Sequence, residues 1–532
     1  MAAYDYIIVG AGSAGCVLAY RLTEDPAIRV LLLEAGGPDR HPMISVPKGF
    51  AKVMVNPAYM WPYMTEPETG SNQVPESWGR GRTLGGSSAV NGMVYVRGQS
   101  TDFDTLATVS SSDWDWQHVG AAYRALENHE LGAAPTRGDR GPLRISLPAT
   151  REPVIEAAIE AGVSLGLERR EDVNDPADEP RIGYAPRTIY RGRRQSAATA
   201  FLAPVRRRAN LTITTGVLVD RVEFEGRRAV AVHGLRDGRP VRLAAAREIL
   251  LAGGTLSSPA ILQRSGIGPL PLLLRLGIPV VQPIGAVGNG VREHRGIVMQ
   301  WRVRPGVSQN RQLQGAGLAA SAARYLLDRG GPIGAGVYDA GAWVKTRAEL
   351  ARPDVQILIA PFSINFTATS IGVESHAGIN LCVYNLRPES SGTLSIRSRN
   401  PADVAEIRPN YGTAPADLET MLAAIRYARR LVRQAPLADL ILEETRPGAS
   451  FESDSELLEA HRQMGYGNYH ACGSCRMGRD DAAVVDPTLR VRGVEALRVV
   501  DTSIFPTMPS GNTNGPAMAG AWRAADFILE GR

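Results

Sequence analysis

The first 35 residues of the chain alternate between short apolar runs and a helical repeat. Residues 4–9 and 29–33 are apolar runs of strand length, and residues 14–22 between them carry leucines at helical spacing. Glu34 closes the second run. This order predicts a βαβ unit with two parallel strands.

Apolar periodicity continues along the rest of the chain. It predicts helices at residues 112–128, 151–167 and 417–434 and strands at residues 211–214, 217–224 and 248–252. Glycine-rich groups lie far apart, at the N-terminus, at residues 81–98, at residues 253–268 and near the C-terminus. Because one site built from such distant segments requires the chain to return to it, we predict a discontinuous domain interrupted by a second one.

The composition is that of a globular protein, since 44% of the 532 residues are hydrophobic and 21% are charged. Three of the 59 basic residues are lysines, and the remaining 56 are arginines spread along the chain beside 54 acidic residues, which leaves a net charge of +5. A nucleic-acid-binding surface concentrates basic residues on one face or in one run. We therefore expect no nucleic-acid partner.

Three sequence features bear on the cellular compartment. The N-terminus lacks the basic and then apolar pattern of a secretion signal, and no apolar stretch approaches the roughly 18 residues that would span a bilayer. Four cysteines do not make a disulfide framework in a chain of this size. We expect a cytoplasmic protein. Peripheral association with a membrane and formation of a homodimer both stay open.

The N-terminal glycines form a G-x-G-x-x-G pattern between a predicted strand and a predicted helix. Gly10 permits a tight turn, Gly12 lets the backbone approach a pyrophosphate, and Gly15 lets the helix pack on the strand. Glu34 lies 24 residues beyond Gly10, near the spacing of a ribose-binding acid. The pattern predicts a bound dinucleotide, and its place at the start of a long chain favours FAD over NAD. The expected contacts are Gly10, Gly12, Ser13, Ala14, Gly15, Glu34 and Ala35.

Four motif groups resemble the glucose–methanol–choline (GMC) oxidoreductases. They are G-R-T-L-G-G-S-S-A-V-N-G at residues 81–92, G-G-T-L-S-S-P to S-G-I-G-P at residues 253–269, Y-H-A-C-G-S-C-R-M-G at residues 469–478, and V-D-T-S-I-F-P followed by G-N-T-N-G-P at residues 500–516. The groups occur in the family's order and cover nearly the whole chain. The residues of these motifs are similar to those of short bacterial members such as L-sorbose dehydrogenases, choline dehydrogenases and hydroxymethylfurfural oxidases.

The resemblance implies a mixed α/β and α+β fold with two domains. A Rossmann-like FAD-binding domain would be discontinuous and comprise residues 1–150, 195–295 and 466–532. A substrate-binding domain would comprise residues 151–194 and 296–465, with helices covering an antiparallel sheet. The active site would then lie between the two domains, on one face of the flavin.

The resemblance also implies which residues hold FAD. The loop at residues 85–94 would wrap the flavin and the pyrophosphate, Val219 would contact the adenine through its backbone, and Asp501 would hold the ribityl chain or the pyrophosphate. Thr513 would approach the flavin ring. Some relatives attach FAD covalently through a histidine where Val90 stands here, so we expect non-covalent FAD. The expected contacts within the loop are Gly85, Gly86, Ser87, Asn91, Gly92, Met93 and Val94.

Oxidising an alcohol requires a base for the hydroxyl proton while the α-hydride moves to flavin N5, and histidine has a suitable pKa. Of eight histidines, only His470 falls in one of the four motif groups. The family places a histidine or an asparagine beside the developing alkoxide, and here the resemblance implies Asn514. Asn512 in the same stretch fits ordinary turn chemistry. His294 and His376 lie in a turn and a polar loop, where a structural role is open to both.

Cys472 and Cys475 form a C-x-x-C pair, which elsewhere binds zinc or exchanges disulfides. The other two cysteines lie in unrelated contexts, so we expect no metal site. We interpret the pair as buried packing residues.

No transferable motif identifies the substrate. Asn468 and Tyr469 flank the predicted base, and Trp343 and Phe362 are aromatic candidates for the pocket wall. No acidic partner for a quaternary ammonium group is evident, which disfavours choline. We expect a small primary alcohol of aryl, furfuryl or polyol type, oxidised to the aldehyde, with O2 or a quinone as the electron acceptor.

Two other functions stay open. A lyase of the hydroxynitrile type in the same family would keep the flavin for structure and use His470 only as an acid–base group. A non-enzymatic flavin-binding protein would need neither His470 nor Asn514, and the presence of both counts against it.

Overall fold

The computed structural model describes residues 4–366 and 371–532. Within these residues one large sheet has seven strands, three of them parallel neighbours from the N-terminal half and three forming an antiparallel meander. Their spatial order is Leu211–Thr215, Val30–Glu34, Tyr4–Val9, Arg239–Leu251, Arg228–Arg236 and Val217–Glu225, with Leu497–Val499 paired in parallel to Arg239–Leu251.

The parallel part of this first sheet lies inside the largest hydrophobic core. Strand Val30–Glu34 is buried along its whole length, as continuous apolar runs are when both faces of a parallel sheet are covered. Helix Ser13–Leu22 and the C-terminal helix Asn514–Leu529 pack against each other and contribute to the same core. The first helix and the C-terminal helix therefore meet, and Asn514 at the start of the latter lies beside the first glycine turn.

A second sheet of eight strands is antiparallel except at one short edge pair. Its buried face forms a separate core with the helices Pro153–Ser164 and Pro415–Val432. The spatial order of its strands is Ile441–Arg446, Arg295–Val303, Gly378–Asn385, Val355–Ala360, Ala340–Val344, Arg181–Tyr184 and Glu168–Arg169, with Gly465–Gly467 paired to Arg295–Val303.

Shorter elements connect the two sheets. The further helices are Pro42–Ser45, Phe50–Val53, Ser100–Val109, Trp116–Leu126, Ala203–Val205, Gly254–Arg264, Leu270–Arg275, Gly315–Asp328 and Asp454–Met464. The small strands are Met60–Trp61, Arg80–Gly81, Glu127–His129, Leu143–Ile145, Ile189–Tyr190, Arg193–Arg194, Ile267–Gly268, Gln282–Pro283, Asn289–Val291, Ile364–Phe366, Ile371–Val373, Gly392–Ser395 and Glu406–Arg408. In the described part of the chain, the helices are too short or too polar for a bilayer crossing.

Most strongly periodic segments form the predicted elements, although several differ in extent, and the helix predicted at residues 151–167 comprises Pro153–Ser164. The helix predicted at residues 112–128 comprises Trp116–Leu126 and is preceded by a short 3₁₀ helix, Ser112–Trp114. It ends at Leu126 because Glu127 begins a strand and its buried carboxylate accepts hydrogen bonds from Arg97. The strand predicted at residues 248–252 is the buried end of the 13-residue strand Arg239–Leu251, whose earlier positions are exposed or half-buried. The domain boundaries stay a prediction.

Candidate functional site

The first glycine turn joins strand Tyr4–Val9 to a helix whose N-terminus is uncapped. A Cβ on Gly10 would lie 2.5 Å from the carbonyl oxygen of Ala252, and one on Gly15 would lie 1.9 Å from that of Gly10. At Gly12, by contrast, a Cβ would have no protein atom within 4 Å. The first helical turn has no side-chain cap, so its N–H groups face open space that suits an anion.

Glu34 holds the backbone around this turn. Its carboxylate accepts hydrogen bonds from the N–H groups of Ala11, at 3.0 Å, and Gly36, at 2.7 Å. Burial raises the pKa of Glu34 to about 7. The acid predicted from its spacing therefore lies at the carboxyl end of the second strand, beside the glycine turn.

Asp501 joins the C-terminal segment to the third glycine group. Its carboxylate accepts hydrogen bonds from the Gly254 N–H at 2.9 Å, the Ser258 hydroxyl at 2.6 Å and the Ser503 N–H at 2.9 Å. Gly254 has a φ of +85°, which favours glycine at the start of helix Gly254–Arg264. This explains why two motif groups almost 250 residues apart meet at one place.

A cavity of about 930 Å³ runs from the glycine turns to the predicted base. Most of the predicted residues line it, whereas Gly15 and Gly85 lie behind the wall and serve backbone packing. The predicted residues on its wall are Gly10, Gly12, Ser13, Ala14, Glu34, Ala35, Gly86, Ser87, Asn91, Gly92, Met93, Val94, Val219, Asn468, Tyr469, His470, Asp501, Thr513 and Asn514.

His470 is buried at one end of this cavity and has a polar partner on each ring nitrogen. Its Nδ1 lies 3.0 Å from Nδ1 of His294, and its Nε2 lies 2.8 Å from the side-chain nitrogen of Asn512. Burial, with smaller effects of His294 and Arg80, holds the pKa of His470 well below the ordinary histidine value. The imidazole is therefore neutral at physiological pH and can accept a proton.

Glu293 fixes the backbone that carries His470. Its two carboxylate oxygens accept hydrogen bonds from the N–H groups of His470, at 2.7 Å, and Ala471, at 3.0 Å. The Arg80 guanidinium lies 3.7 Å from the same carboxylate, whose side chain is fully buried. Burial raises the pKa of Glu293 to about 7, although Arg80 opposes the shift.

The two asparagines of the C-terminal motif have different partners. Asn512 contacts His470, so its interpretation as a turn residue missed a contact with the predicted base. Asn514 begins the C-terminal helix, and its side-chain oxygen accepts a hydrogen bond from the Ser13 hydroxyl at 2.6 Å. Both asparagines line the cavity. Because the two asparagines are two residues apart in an irregular stretch, the sequence alone does not show which of them contacts the base.

Comparison with known proteins assigns the chain to a family. Two sequence profiles described as GMC oxidoreductase match residues 4–313 and 388–521. The chain belongs to the GMC oxidoreductase family. It is 38% identical over 534 residues to the oxygen-dependent choline dehydrogenase of Proteus mirabilis (strain HI4320), covering 99% of this chain and 95% of that protein. It is 38% identical over 534 residues to the protein of the same name from Stenotrophomonas maltophilia (strain K279a), covering 99% and 94%.

Solved structures of other GMC-like enzymes have the same architecture. The chain resembles pyridoxine 4-oxidase from Mesorbium loti with a TM-score of 0.89 and 30% identity, covering 99% of both chains. It resembles formate oxidase with a TM-score of 0.92 and 26% identity, covering 99% of this chain and 98% of the other. The predicted family and mixed α/β fold are confirmed, and the protein is a GMC flavoprotein oxidoreductase that acts on alcohol-type CH–OH donors.

The residues at the glycine-rich end of the cavity fit FAD. The open space above Gly12 and the uncapped helix that follows it suit a pyrophosphate, and buried Glu34 lies at the position of a ribose-binding acid. Residues Gly86 to Val94 and Thr513 line the same cavity between this end and His470. These residues would hold the dinucleotide and leave its flavin beside the histidine.

The cavity wall near His470 includes thiol, phenol and amide groups that can form hydrogen bonds, and its charged residues include Arg80. Cys382 Sγ lies 3.6 Å from the Tyr466 hydroxyl and 3.3 Å from the side-chain oxygen of Asn468. Tyr384 lies with its ring centroid 5.7 Å from that of His470. Burial raises the pKa values of Tyr384 and Tyr466 well above the ordinary tyrosine value, so both phenols stay protonated.

The carboxylates on the cavity wall, among the described residues, already have partners. Glu34 and Asp501 accept the hydrogen bonds given above. Glu76 is ion-paired with Arg295 and accepts the Gly467 N–H, and Asp403 accepts hydrogen bonds from Ser398 and Asn400. Each of these carboxylates is therefore already engaged by protein groups, Glu76 in an ion pair and the others through neutral hydrogen-bond donors.

Two predicted pocket residues lie away from the cavity wall. Trp343 is 2% exposed and packs in a buried cluster, where the Arg181 guanidinium lies 4.8 Å from its ring. Phe362 is buried in another cluster, and Lys48 Nζ lies 4.4 Å from its ring. The wall instead includes apolar and aromatic residues that carry no sequence motif, namely Phe50, Met54, Trp61, Tyr63, Val337, Tyr338, Leu358, Ile364 and Phe366.

The C-x-x-C pair lies in the hydrophobic core rather than on the cavity wall. Cys472 and Cys475 are free thiols and fully buried among the apolar residues of the first core. Burial raises the pKa of Cys472 to about 12. The position of both side chains agrees with the packing interpretation.

Proposed function

We propose that this GMC oxidoreductase oxidises a small, neutral primary alcohol of aryl, furfuryl or polyol type to the aldehyde. The observation that carries the proposal is the neutral, buried imidazole of His470, whose Nε2 lies at the cavity next to Asn512. His470 accepts the hydroxyl proton, and the amides of Asn512 and Asn514 stabilise the alkoxide as charge develops. FAD, when bound, supplies flavin N5 as the acceptor of the substrate hydride.

We further propose that FAD is held without a covalent bond and that O2 or a quinone reoxidises it. Val90 lines the cavity and has an aliphatic side chain that cannot form such a bond. The name of the Proteus relative, an oxygen-dependent dehydrogenase, favours O2. Acid precipitation of the purified protein should therefore release FAD into the supernatant.

The preference for a neutral alcohol rests on the charge of the wall. Tyr466, Tyr384 and Cys382 offer hydrogen bonds without charge, and the wall carboxylates are engaged elsewhere. A quaternary ammonium group buried there would lose its hydration without gaining a counter-ion. Choline is therefore disfavoured, although the relatives named above are choline dehydrogenases.

A matched pair of alcohols tests this proposal. The purified holoenzyme is mixed without oxygen with benzyl alcohol, furfuryl alcohol, glycerol, choline, or the carbon isostere of choline in which a quaternary carbon replaces the ammonium nitrogen. We expect a neutral alcohol to bleach the visible flavin band, and the isostere to do so faster than choline. Recovery of the band on admitting air marks O2 as an acceptor. Faster bleaching by choline than by its isostere would refute the neutral-substrate assignment, and a flavin that no alcohol bleaches would refute oxidation and favour a lyase.

A further inference from the structure

We propose that His294 is a positioning residue that fixes the tautomer of His470, with the proton on Nδ1 and the lone pair of Nε2 on the side of Asn512, which lines the cavity. The inference rests on the proposed role of His470 as a base. It follows from one chain of hydrogen bonds that links Leu386, His294, His470 and Asn512.

The chain of hydrogen bonds begins at a backbone carbonyl. The oxygen of Leu386 lies 2.8 Å from Nε2 of His294 and can only accept. Nε2 of His294 therefore carries a proton. Because the ring is fully enclosed, burial lowers the pKa of His294 to about 4, and the neutral ring holds no second proton. Its Nδ1 is consequently an acceptor.

The contact between the two histidines then has one possible direction. The two Nδ1 atoms are 3.0 Å apart, and two lone pairs at that distance would repel each other. Nδ1 of His470 must therefore donate its proton to His294. Since His470 is also neutral, its Nε2 has no proton and accepts the hydrogen bond from Asn512 at 2.8 Å.

The opposite tautomer of His470 would break two contacts of this chain. Its Nδ1 lone pair would face that of His294, and its Nε2–H would face the N–H of Asn512. The side-chain nitrogen of Asn512 faces His470, and its buried side-chain oxygen has no hydrogen-bond partner among the described residues. Both neighbours therefore favour the tautomer whose Nε2 can take a proton from a substrate hydroxyl that replaces the Asn512 N–H.

A pair of nearly isosteric variants separates this role from packing. In His294→Asn the amide oxygen takes the place of Nδ1 and can accept from His470, whereas His294→Leu has a similar shape and no acceptor. Both variants lose the bond to Leu386 and leave similar space beside Tyr384, whose ring centroid lies 5.0 Å from that of His294. A difference between them therefore reports the acceptor alone.

Two readouts are taken on the holoenzyme, with the visible flavin spectrum as the check on folding and FAD content. Ring ¹⁵N chemical shifts of ¹⁵N-histidine-labelled protein, assigned by comparison with His470→Gln, report which nitrogen of His470 carries the proton. Anaerobic stopped-flow mixing with an alcohol that reduces the flavin reports the rate. We expect Nδ1–H in the native protein and in His294→Asn. In His294→Leu we expect mixed tautomers and a reduction rate lowered in proportion to the fraction of His470 that leaves the Nδ1–H form, with the alcohol concentration for half-maximal rate nearly unchanged.

The outcomes distinguish this inference from the proposed function. Nε2–H on His470 in the native protein would refute the inference whatever the activity, and that measurement needs no variant to fold. Equal rates in His294→Asn and His294→Leu would also refute it. If no alcohol reduces the flavin while the native shifts show Nδ1–H, the tautomer assignment stands and the proposed reaction fails.

Discussion

The carboxylate of Glu293 provides the sharpest test of how the base is held, through the variant Glu293→Gln. Glutamine keeps the shape but has one acceptor oxygen for the N–H groups of His470 and Ala471, so one buried donor loses its partner. Leaving a buried donor unsatisfied costs about 1–3 kcal/mol. If most of that cost appears in the transition state, flavin reduction slows by about 5- to 150-fold, at 1.36 kcal/mol for each factor of ten.

The same carboxylate predicts a pH dependence with a defined sign. Because the pKa of Glu293 is about 7, the carboxylate form with two acceptors predominates above pH 7 and the protonated form below it. His470 and His294 are neutral over this range, since burial lowers both of their pKa values, and Arg80 stays charged. Protonation should therefore lower the rate of the native enzyme as pH falls through about 7.

Stopped-flow reduction without oxygen, from about pH 8 to about pH 6, measures both effects. Native protein should lose rate on acidification, whereas Glu293→Gln should be slow and should lose less rate, because its amide mimics the protonated acid. Glu34, whose pKa is also about 7, titrates in both proteins, so the difference between their pH profiles reports Glu293. Glu443→Gln serves as the control, since the side chain of Glu443 is 59% exposed and its ion pair is with Arg302. A Glu293→Gln enzyme with the native rate and the native pH profile would refute the reasoning.

Two further predictions concern the alkoxide and the cofactor. Asn514→Ala should slow flavin reduction by about 10²- to 10³-fold, as removal of one oxyanion donor does, and an unchanged rate in stopped-flow mixing would remove Asn514 from the site. Gly12→Ala should lower the FAD content, read from visible absorbance, without lowering the melting temperature of the apoprotein, because the added Cβ has no protein atom within 4 Å. Gly15→Ala should lower the melting temperature itself, because its Cβ would lie 1.9 Å from a carbonyl oxygen. A lower melting temperature for Gly12→Ala and an unchanged one for Gly15→Ala would contradict this description of the cavity.

The parts of the fold that sequence predicts are those with local causes. Residues 4–9 form strand Tyr4–Val9 because a continuous apolar run suits a strand covered on both faces, and the glycines at positions 10, 12 and 15 have the roles that their spacing indicates. Helix Pro415–Val432 follows its apolar repeat to within two residues at each end. In each case the pattern that marks the element lies within the segment itself, even where its packing partners are distant in sequence.

The surroundings of the base depend on contacts between distant segments. Glu293 and His294 meet His470 across more than 170 residues of chain, and Asn512 joins them from a loop 42 residues further on. Sequence marked His470 through its motif but could not show which acid, histidine or amide it contacts. Tyr384 also lines the cavity, but a tyrosine in the sequence can belong to a hydrophobic core or to a pocket wall, and its residue type does not tell which.

The central claim is that His470 is the base that permits an alcohol to reduce the flavin. Native holoenzyme and His470→Ala are mixed without oxygen with the best alcohol of the panel, and the visible flavin band is followed. His118→Ala is the control, because the side chain of His118 is 39% exposed and its ring hydrogen-bonds with Asp115 of the same helix start. We predict rapid bleaching in the native and control proteins, and in His470→Ala a bound flavin that stays oxidised. Bleaching of His470→Ala at the native rate would contradict the account.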